Sequence, residues 1–274
     1  MQKNRIIANN ISEEDLLNGH ISIRFLPDGF SFLLSNCQHS PLLLYHYTGT
    51  GGASAAICRD ELAGYGLHSK FRGESTILSG SLSATLIPEA LFDPGQAAEM
   101  LDFTNHTPAN ETILAKKIQH RPWYLVFAIH PAIEKLASEL GTRPRILHSA
   151  AAMISLADQI PASDHQRGFI LAEIQQDIME VLIIRDDNLL LSNRFSIRNN
   201  DEAIYHLLNT VRQTGLDREQ VPVYLAGEIA DRSAFVSLLQ RYVRKVREVP
   251  YTLQGTDKAT VQQFMLLTEA NRCG

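Results

Sequence analysis

The sequence predicts an α/β protein built from two similar lobes, and three observations carry that reading. Residues 21–47 read as strand, turn, strand, short loop, strand. Residues 168–197 repeat the device, with a polar break at Gln175-Gln176-Asp177 and the turn Arg185-Asp186-Asp187-Asn188 between three strands. Each triplet then gives way to mixed strand and helix signals, the pattern of layered α/β structure. A duplicated three-strand antiparallel meander implies lobes over residues 18–148 and 149–274, with a cleft between them that would hold a ligand.

The elements follow in order. Residues 1–18 are polar and show no strong pattern, apart from a short helix near residues 13–17 with Ser12 as its cap. His20-Ile21-Ser22-Ile23-Arg24-Phe25 alternates, so one face is buried. Pro27-Asp28-Gly29 is a turn, with φ set by Pro and a positive φ open to Gly. Residues 30–35 pair back as a hairpin, and residues 42–47 form the third strand. Thr48-Gly49-Thr50-Gly51-Gly52 precedes a small-residue helix over residues 53–64, a context that can cradle phosphate at a helix N-terminus. No Lys-Ser/Thr follows, so it is no Walker motif and reads as a flexible loop.

Residues 76–79 and 83–86 are short strands, and residues 93–103 form a helix with Asp93 as cap and Pro94 in its first turn. Residues 112–118 and 123–129 are strands. The helix over residues 131–140 puts Ile133, Leu136, Ala137 and Leu140 on one face and stops at Gly141. A short strand at residues 145–148 leads through Ser149, read as an N-cap, into an Ala-rich helix over residues 150–158. The second lobe has strands at residues 169–174, 178–184 and 189–195, and a helix over residues 200–214 that Gly215 ends. A buried-type strand at residues 221–226 turns at Gly227 into a helix over residues 232–243. A strand at residues 246–249 and a helix over residues 260–271 close the chain.

Composition bounds the function. At 274 residues the chain is long enough for sizeable cores, and 45% hydrophobic with 20% charged residues is ordinary for a globular protein. A net charge of −5 and no basic run argue against nucleic acid as a partner. The most basic stretch, residues 241–247, reads as the solvated end of a helix. No apolar stretch is long enough to span a membrane, residues 1–10 do not form a secretory signal, and the expected compartment is the cytoplasm. Cys37, Cys58 and Cys273 are too far apart for a zinc or redox motif, and the ten histidines form no ligand pattern, so no metal site is expected.

The segments "HISIRFLPDGFSFLLSN", "SATLIPEALF", "PRILHSAAAMISLADQ" and "VYLAGEIADRSAFVSLLQRYV" carry a resemblance. The chain resembles an uncharacterised bacterial family of unknown function, found mainly in Bacteroidetes, with the actin-like ATPase fold. More distantly it is similar to the assembly proteins PilM and GspL. The resemblance implies two ribonuclease-H-like lobes with nucleotide between them. Each lobe's first hairpin would wrap the phosphates, the first carrying an Asp that holds Mg²⁺ through water, then a Gly and a Ser or Thr.

On that pattern Arg24 stands at the place of the Asp and Leu26 at that of the Gly, while Asp28-Gly29 falls later, at the tip. In the second hairpin Glu173 stands for the Asp, and Gln175 replaces the Gly. Leu225-Ala226-Gly227-Glu228 resembles the adenosine turn, though Gly227 equally suits an ordinary strand-to-helix turn. The resemblance therefore implies a degenerate nucleotide cleft in which Asp28, Glu173 and Gly227 are the candidate cofactor-binding residues and no catalytic residue is assigned. The expected function is a non-catalytic scaffold or assembly partner acting on another protein, or on a second copy as a homodimer, without bound ATP or Mg²⁺. The final helix offers Val261, Phe264, Leu267 and Thr268 as an apolar stripe for such contacts, or for the core. Two alternatives are an atypical ATPase using Glu173, Asp177 and Gly227, and a sugar-kinase-like phosphotransferase. The latter needs a catalytic Asp, for which Asp158 and Asp164 are nearby but read as surface residues.

Overall fold

The computed structural model describes residues 2–49, 54–105, 110–140, 142–175, 177–229, 231–253 and 256–270. The chain divides into two compact units, Met1–Ala152 with Leu267–Gly274, and Met153–Leu266. The division falls slightly beyond the crossover expected after residue 148, and the last residues group with the first unit.

Up to that crossover the elements are β1 (Gln2–Ala8), α1 (Glu13–Asn18), β2 (His20–Leu26), β3 (Gly29–Ser35), β4 (Pro41–Thr48), α2 (Ser54–Gly64), β5 (Glu74–Ser79), β6 (Ala84–Pro88), α3 (Ala97–Thr104), β7 (Thr112–Lys117), β8 (Trp123–Ile129), α4 (Pro131–Glu139), β9 (Arg145–His148) and α5 (Ser149–Ala157). They are followed by α6 (Ala162–Arg167), β10 (Phe169–Gln175), β11 (Ile178–Arg185), β12 (Asn188–Ser196), α7 (Asn200–Gln213), β13 (Pro222–Glu228), α8 (Arg232–Leu239), β14 (Lys245–Glu248), α9 (Lys258–Gln263) and α10 (Met265–Glu269).

The first unit's large sheet has the order β1-β4-β3-β2-β5-β9, and the second unit's sheet is β12-β11-β10-β13-β14. Without β1 the two orders are the same. In both, the first three strands of the repeat pair antiparallel and the last two add in parallel. Each unit is a ribonuclease-H-like lobe. The first also carries a small sheet, β6-β8-β7, inserted in sequence between β5 and β9 and packed with α3 around Ile87, Leu101, Val126 and Ala128.

Period-2 alternation explains the cores. Ile21, Ile23 and Phe25 share one face with Phe30, Phe32, Leu34 and Tyr45, and that face packs on α2 and α4 through Leu62 and Leu136. In the second unit Ile170, Ala172, Met179 and Val181 meet Leu207, Phe235 and Leu239. Each large apolar side chain so buried stabilises by roughly 1.5–3 kcal/mol. The opposite faces of the same strands are buried too, and there the chain places polar groups: Ser22, Arg24, Ser31 and His46 in the first unit, Glu173 and Glu180 in the second.

The structure differs from the sequence reading in particular places. β1 pairs antiparallel with β4, with a register irregularity between Arg5 and Ile7. An edge strand buries little and need not alternate, so residues 2–8 carried no signal. α6 has no apolar stripe for a sequence reading to find, because its buried residues are Asp164 and His165, held by polar bonds. The closing helix is two helices broken at Phe264. Gly29 does not take a positive φ: Pro27 and Asp28 form the turn, and Gly29 begins β3. Its absent side chain is needed because a Cβ would lie 1.9 Å from the Tyr47 carbonyl oxygen. Residues 50–52 of the glycine-dense loop, residue 53 at the start of the expected helix, and Gly141, Gln176 and Cys273 lie outside the described residues. Among the described residues no helix is long and apolar enough to cross a membrane.

Candidate functional site

The first hairpin is the place to test the implied phosphate site. Arg24 is 3% exposed on β2, in register with Ser31 on β3 and Leu78 on β5. Ser31 lies opposite His46 on β4, and its Oγ is 2.8 Å from the His46 Nδ1. Arg24 therefore belongs to a buried polar row that crosses the sheet. Asp28 sits half-buried in the two-residue turn, where its carbonyl accepts the Gly49 N–H at 2.7 Å. Leu26 faces a different feature, a recess of about 330 Å³ in the first unit.

The second hairpin is built the same way with other chemistry. Glu173, 1% exposed, stands opposite Glu180 on β11, and Glu180 stands opposite Arg194 on β12. Like charges directly across a ladder repel, and Arg194 brings a guanidinium to the next position of the row. Gln175 is buried and tied down: its Nε2 donates to the Gln263 carbonyl at 2.8 Å. The position expected of a phosphate-approach Gly is thus filled by a side chain already engaged with the backbone beside α9.

Gly227 lies in β13, in register with Ile174 on β10. Its φ is +92°, and a Cβ there would lie 2.0 Å from the Ile174 carbonyl oxygen. Glycine is required at this point by the fold itself. Arg232, at the start of α8, donates to the carbonyls of Gly227 at 3.4 Å and Leu225 at 3.3 Å, and its Nε lies 3.7 Å from Glu248. Burial pushes the guanidinium's pKa down, with Glu248 acting in the opposite direction. Of the three candidate residues, Glu173 and Gly227 are brought to adjacent strands of one unit, and Asp28 is in the other unit.

Other candidates resolve into structure. Asp164 is buried and accepts the Tyr224 hydroxyl at 2.6 Å and the Arg247 Nη1 at 2.6 Å. Burial first, and the Asp164 bond second, raise the Tyr224 pKa, and Arg247 opposes them. Asp164 is therefore a buried anchor rather than the surface residue expected, and Asp158 is exposed. The run at residues 241–247 is not the end of a helix, because α8 stops at Leu239 and Arg247 in β14 belongs to this anchor. Ser149 is the first residue of α5 and not its cap. The His148 Nδ1 accepts the Ala150 N–H at 3.1 Å instead. Val261, Phe264, Leu267 and Thr268 are all buried and belong to the interior. Among the described residues, no group of three or more His, Cys, Asp or Glu is placed to hold a metal ion.

Repeated lobes with one strand order, each opening on a hairpin, define the actin-like ATPase fold. The comparisons agree. The family described as "Protein of unknown function (DUF3822)" matches residues 8–246, and the chain belongs to that family. None of the curated proteins matches it. A Bacteroides thetaiotaomicron protein with actin-like ATPase fold and unknown function is similar at a TM-score of 0.82 and 18% identity, covering 97% of this chain and 100% of its own. A chain of the PilM-PilN type IV pilus biogenesis complex is similar at 0.59 and 14% identity, covering 92% of this chain and 97% of that one. The ethanolamine utilization protein EutJ of Carboxydothermus hydrogenoformans follows at 0.53 and 9%, covering 96% and 92%. At these identities the likeness shows the fold.

Proposed function

We propose that the chain is a non-catalytic actin-like module, a scaffold or assembly partner in the cytoplasm that acts on another protein and does not hydrolyse ATP. The observation that carries this reading is Arg24. It is a buried cation at the strand position where the fold's active members would carry the carboxylate that organises Mg²⁺. At about 4 Å and an effective dielectric near 20, each unit of charge product is worth on the order of 4 kcal/mol. Exchanging −1 for +1 reverses the local preference for a divalent cation, and phosphoryl transfer depends on that cation. Three features support the same reading. Leu26 supplies bulk at one approach position, the Gln175 side chain is tied to the Gln263 carbonyl, and Gly227 is accounted for by its contact with Ile174. The likeness to PilM, solved in a complex with PilN, supports a role through a protein partner.

Calorimetry and thermal shift with Mg-ATP and Mg-ADP test the proposal. Nucleotide at 100 times its dissociation constant would add about 2.7 kcal/mol of stability. The expected result is no such gain and no phosphate release. An ordered nucleotide with metal beside Asp28 or Glu173 in a co-crystal would overturn the proposal and favour an atypical ATPase.

A further inference from the structure

We propose that the recess beside β5 in the first unit is a binding site for a small organic ammonium ion with an apolar body. The recess holds about 330 Å³, within the range of small-molecule pockets. Its apolar wall comes from Phe25 and Leu26 at the end of β2, Leu82 in the loop after β5, and Ile133 in α4. Its polar side comes from the serines of residues 79–83, from His130 and from Glu111.

Charge selects the ligand. Among the described residues no Lys or Arg lines the recess, so no permanent cation there would neutralise a phosphate or carboxylate. Among the described residues Glu111 contributes the carboxylate of the lining, and its Oε2 is buried with no hydrogen-bond partner among them. A buried acceptor left unmatched is rare and costly, and its complement is a donor. The terminal torsion of Glu is soft, so the carboxylate turns to meet an ammonium group with little penalty. The N-terminus of α4 also borders the recess and would by itself attract anions. Its first turn already carries Glu134, whose Oε2 accepts the Thr112 hydroxyl at 2.7 Å, so that end of the helix is matched.

The site is also preformed. The His148 Nδ1 accepts the Ala150 N–H, which leaves the proton on Nε2 to donate to the Ser81 carbonyl at 2.9 Å. The Ser83 carbonyl accepts the Ala128 N–H at 3.0 Å, and the Ser83 N–H donates to the Ser81 Oγ at 3.1 Å. The loop is pinned from both sides, so a ligand would not have to order it.

The test uses phenethylammonium as probe, with 2-phenylethanol and phenylacetate as neutral and anionic counterparts. Binding is read from the methyl resonances of Leu26, Leu82 and Ile133 in the full chain. Phenethylammonium should shift all three, with a dissociation constant on the order of 1 mM for so small a ligand. The alcohol should bind about tenfold more weakly and the anion not at all. Glu111→Gln should remove the tenfold preference for the amine while leaving the alcohol unchanged. Leu82→Arg, at a residue 54% exposed and so tolerant of change, should expel the amine and admit phenylacetate. Equal binding of the three probes, amine binding unaffected by Glu111→Gln, or no shift at the three methyls would each overturn the proposal. Shifts of the same methyls by Mg-ATP would overturn it too.

Discussion

Replacing Gly227 with Ala separates a structural glycine from one kept for a ligand. Two costs follow from the structure. An L-residue held at φ +92° is strained, by about 1–3 kcal/mol. The new Cβ would stand 2.0 Å from the Ile174 carbonyl oxygen, and the neighbour is strand backbone, so the β10–β13 pairing must part by more than an ångström. Losing one ladder hydrogen bond there adds about 0.5–1.5 kcal/mol. The sum is about 1.5–4.5 kcal/mol in the absence of any nucleotide. For a unit of this size that corresponds to a fall in Tm of about 6–20 °C. The measurement is urea and thermal unfolding of the free protein, followed by far- and near-ultraviolet circular dichroism. If Gly227 served only to let the chain pass a purine, the free variant would keep its stability and lose only nucleotide affinity. A change below about 0.5 kcal/mol, within the range of neutral surface substitutions, would refute the structural account.

Two further outcomes follow from buried groups. Asp164→Ala leaves the Tyr224 hydroxyl and Arg247 without their shared acceptor and should cost about 2–3 kcal/mol, while Tyr224→Phe should cost about 1 kcal/mol. Because the folded Tyr224 pKa is raised, its contribution is complete below the unfolded value of about 10 and is lost as pH rises through the folded one. Alkaline unfolding curves should show that loss in the wild type and not in Tyr224→Phe, and identical curves would exclude it. Burial, seconded by Glu61, raises the Cys58 thiol pKa, whereas Cys37 is exposed. In a Cys273→Ser background an aromatic disulfide reagent should therefore label one thiol at once and the second only on unfolding. Rapid labelling of both would show that the α2 face opens in the native state.

The lobes were legible because their information is local. Ile21, Ile23 and Phe25 alternate within a few residues, and Asp186 and Asp187 both take the positive φ that their tight turn demands. The site was not legible to the same degree because its meaning lies across strands. Whether Gln175 blocks a phosphate or is merely a polar residue at a strand end depends on Gln263, 88 positions away. Whether Asp164 is surface or anchor depends on Tyr224 and Arg247. The local motif at Gly227 suits an adenosine turn or an ordinary strand-to-helix turn, and the Ile174 carbonyl supplies a sufficient reason for glycine there that no local pattern contains.

Arg24 and Glu173 occupy the same place, the fifth residue of seven-residue strands β2 and β10, and both are buried. Two copies of one architecture thus place opposite charges at one position. The strand geometry there asks for a long polar side chain on a covered face and is indifferent to its sign. The cross-strand rows differ as well: Ser31 and His46 continue the row of Arg24, and Glu180 and Arg194 that of Glu173. A lobe under selection for Mg²⁺ would hold a carboxylate at this position whatever its row contained. The proposed non-catalytic role accounts for a cation at this position of the first lobe, set in a row of a hydroxyl and an imidazole.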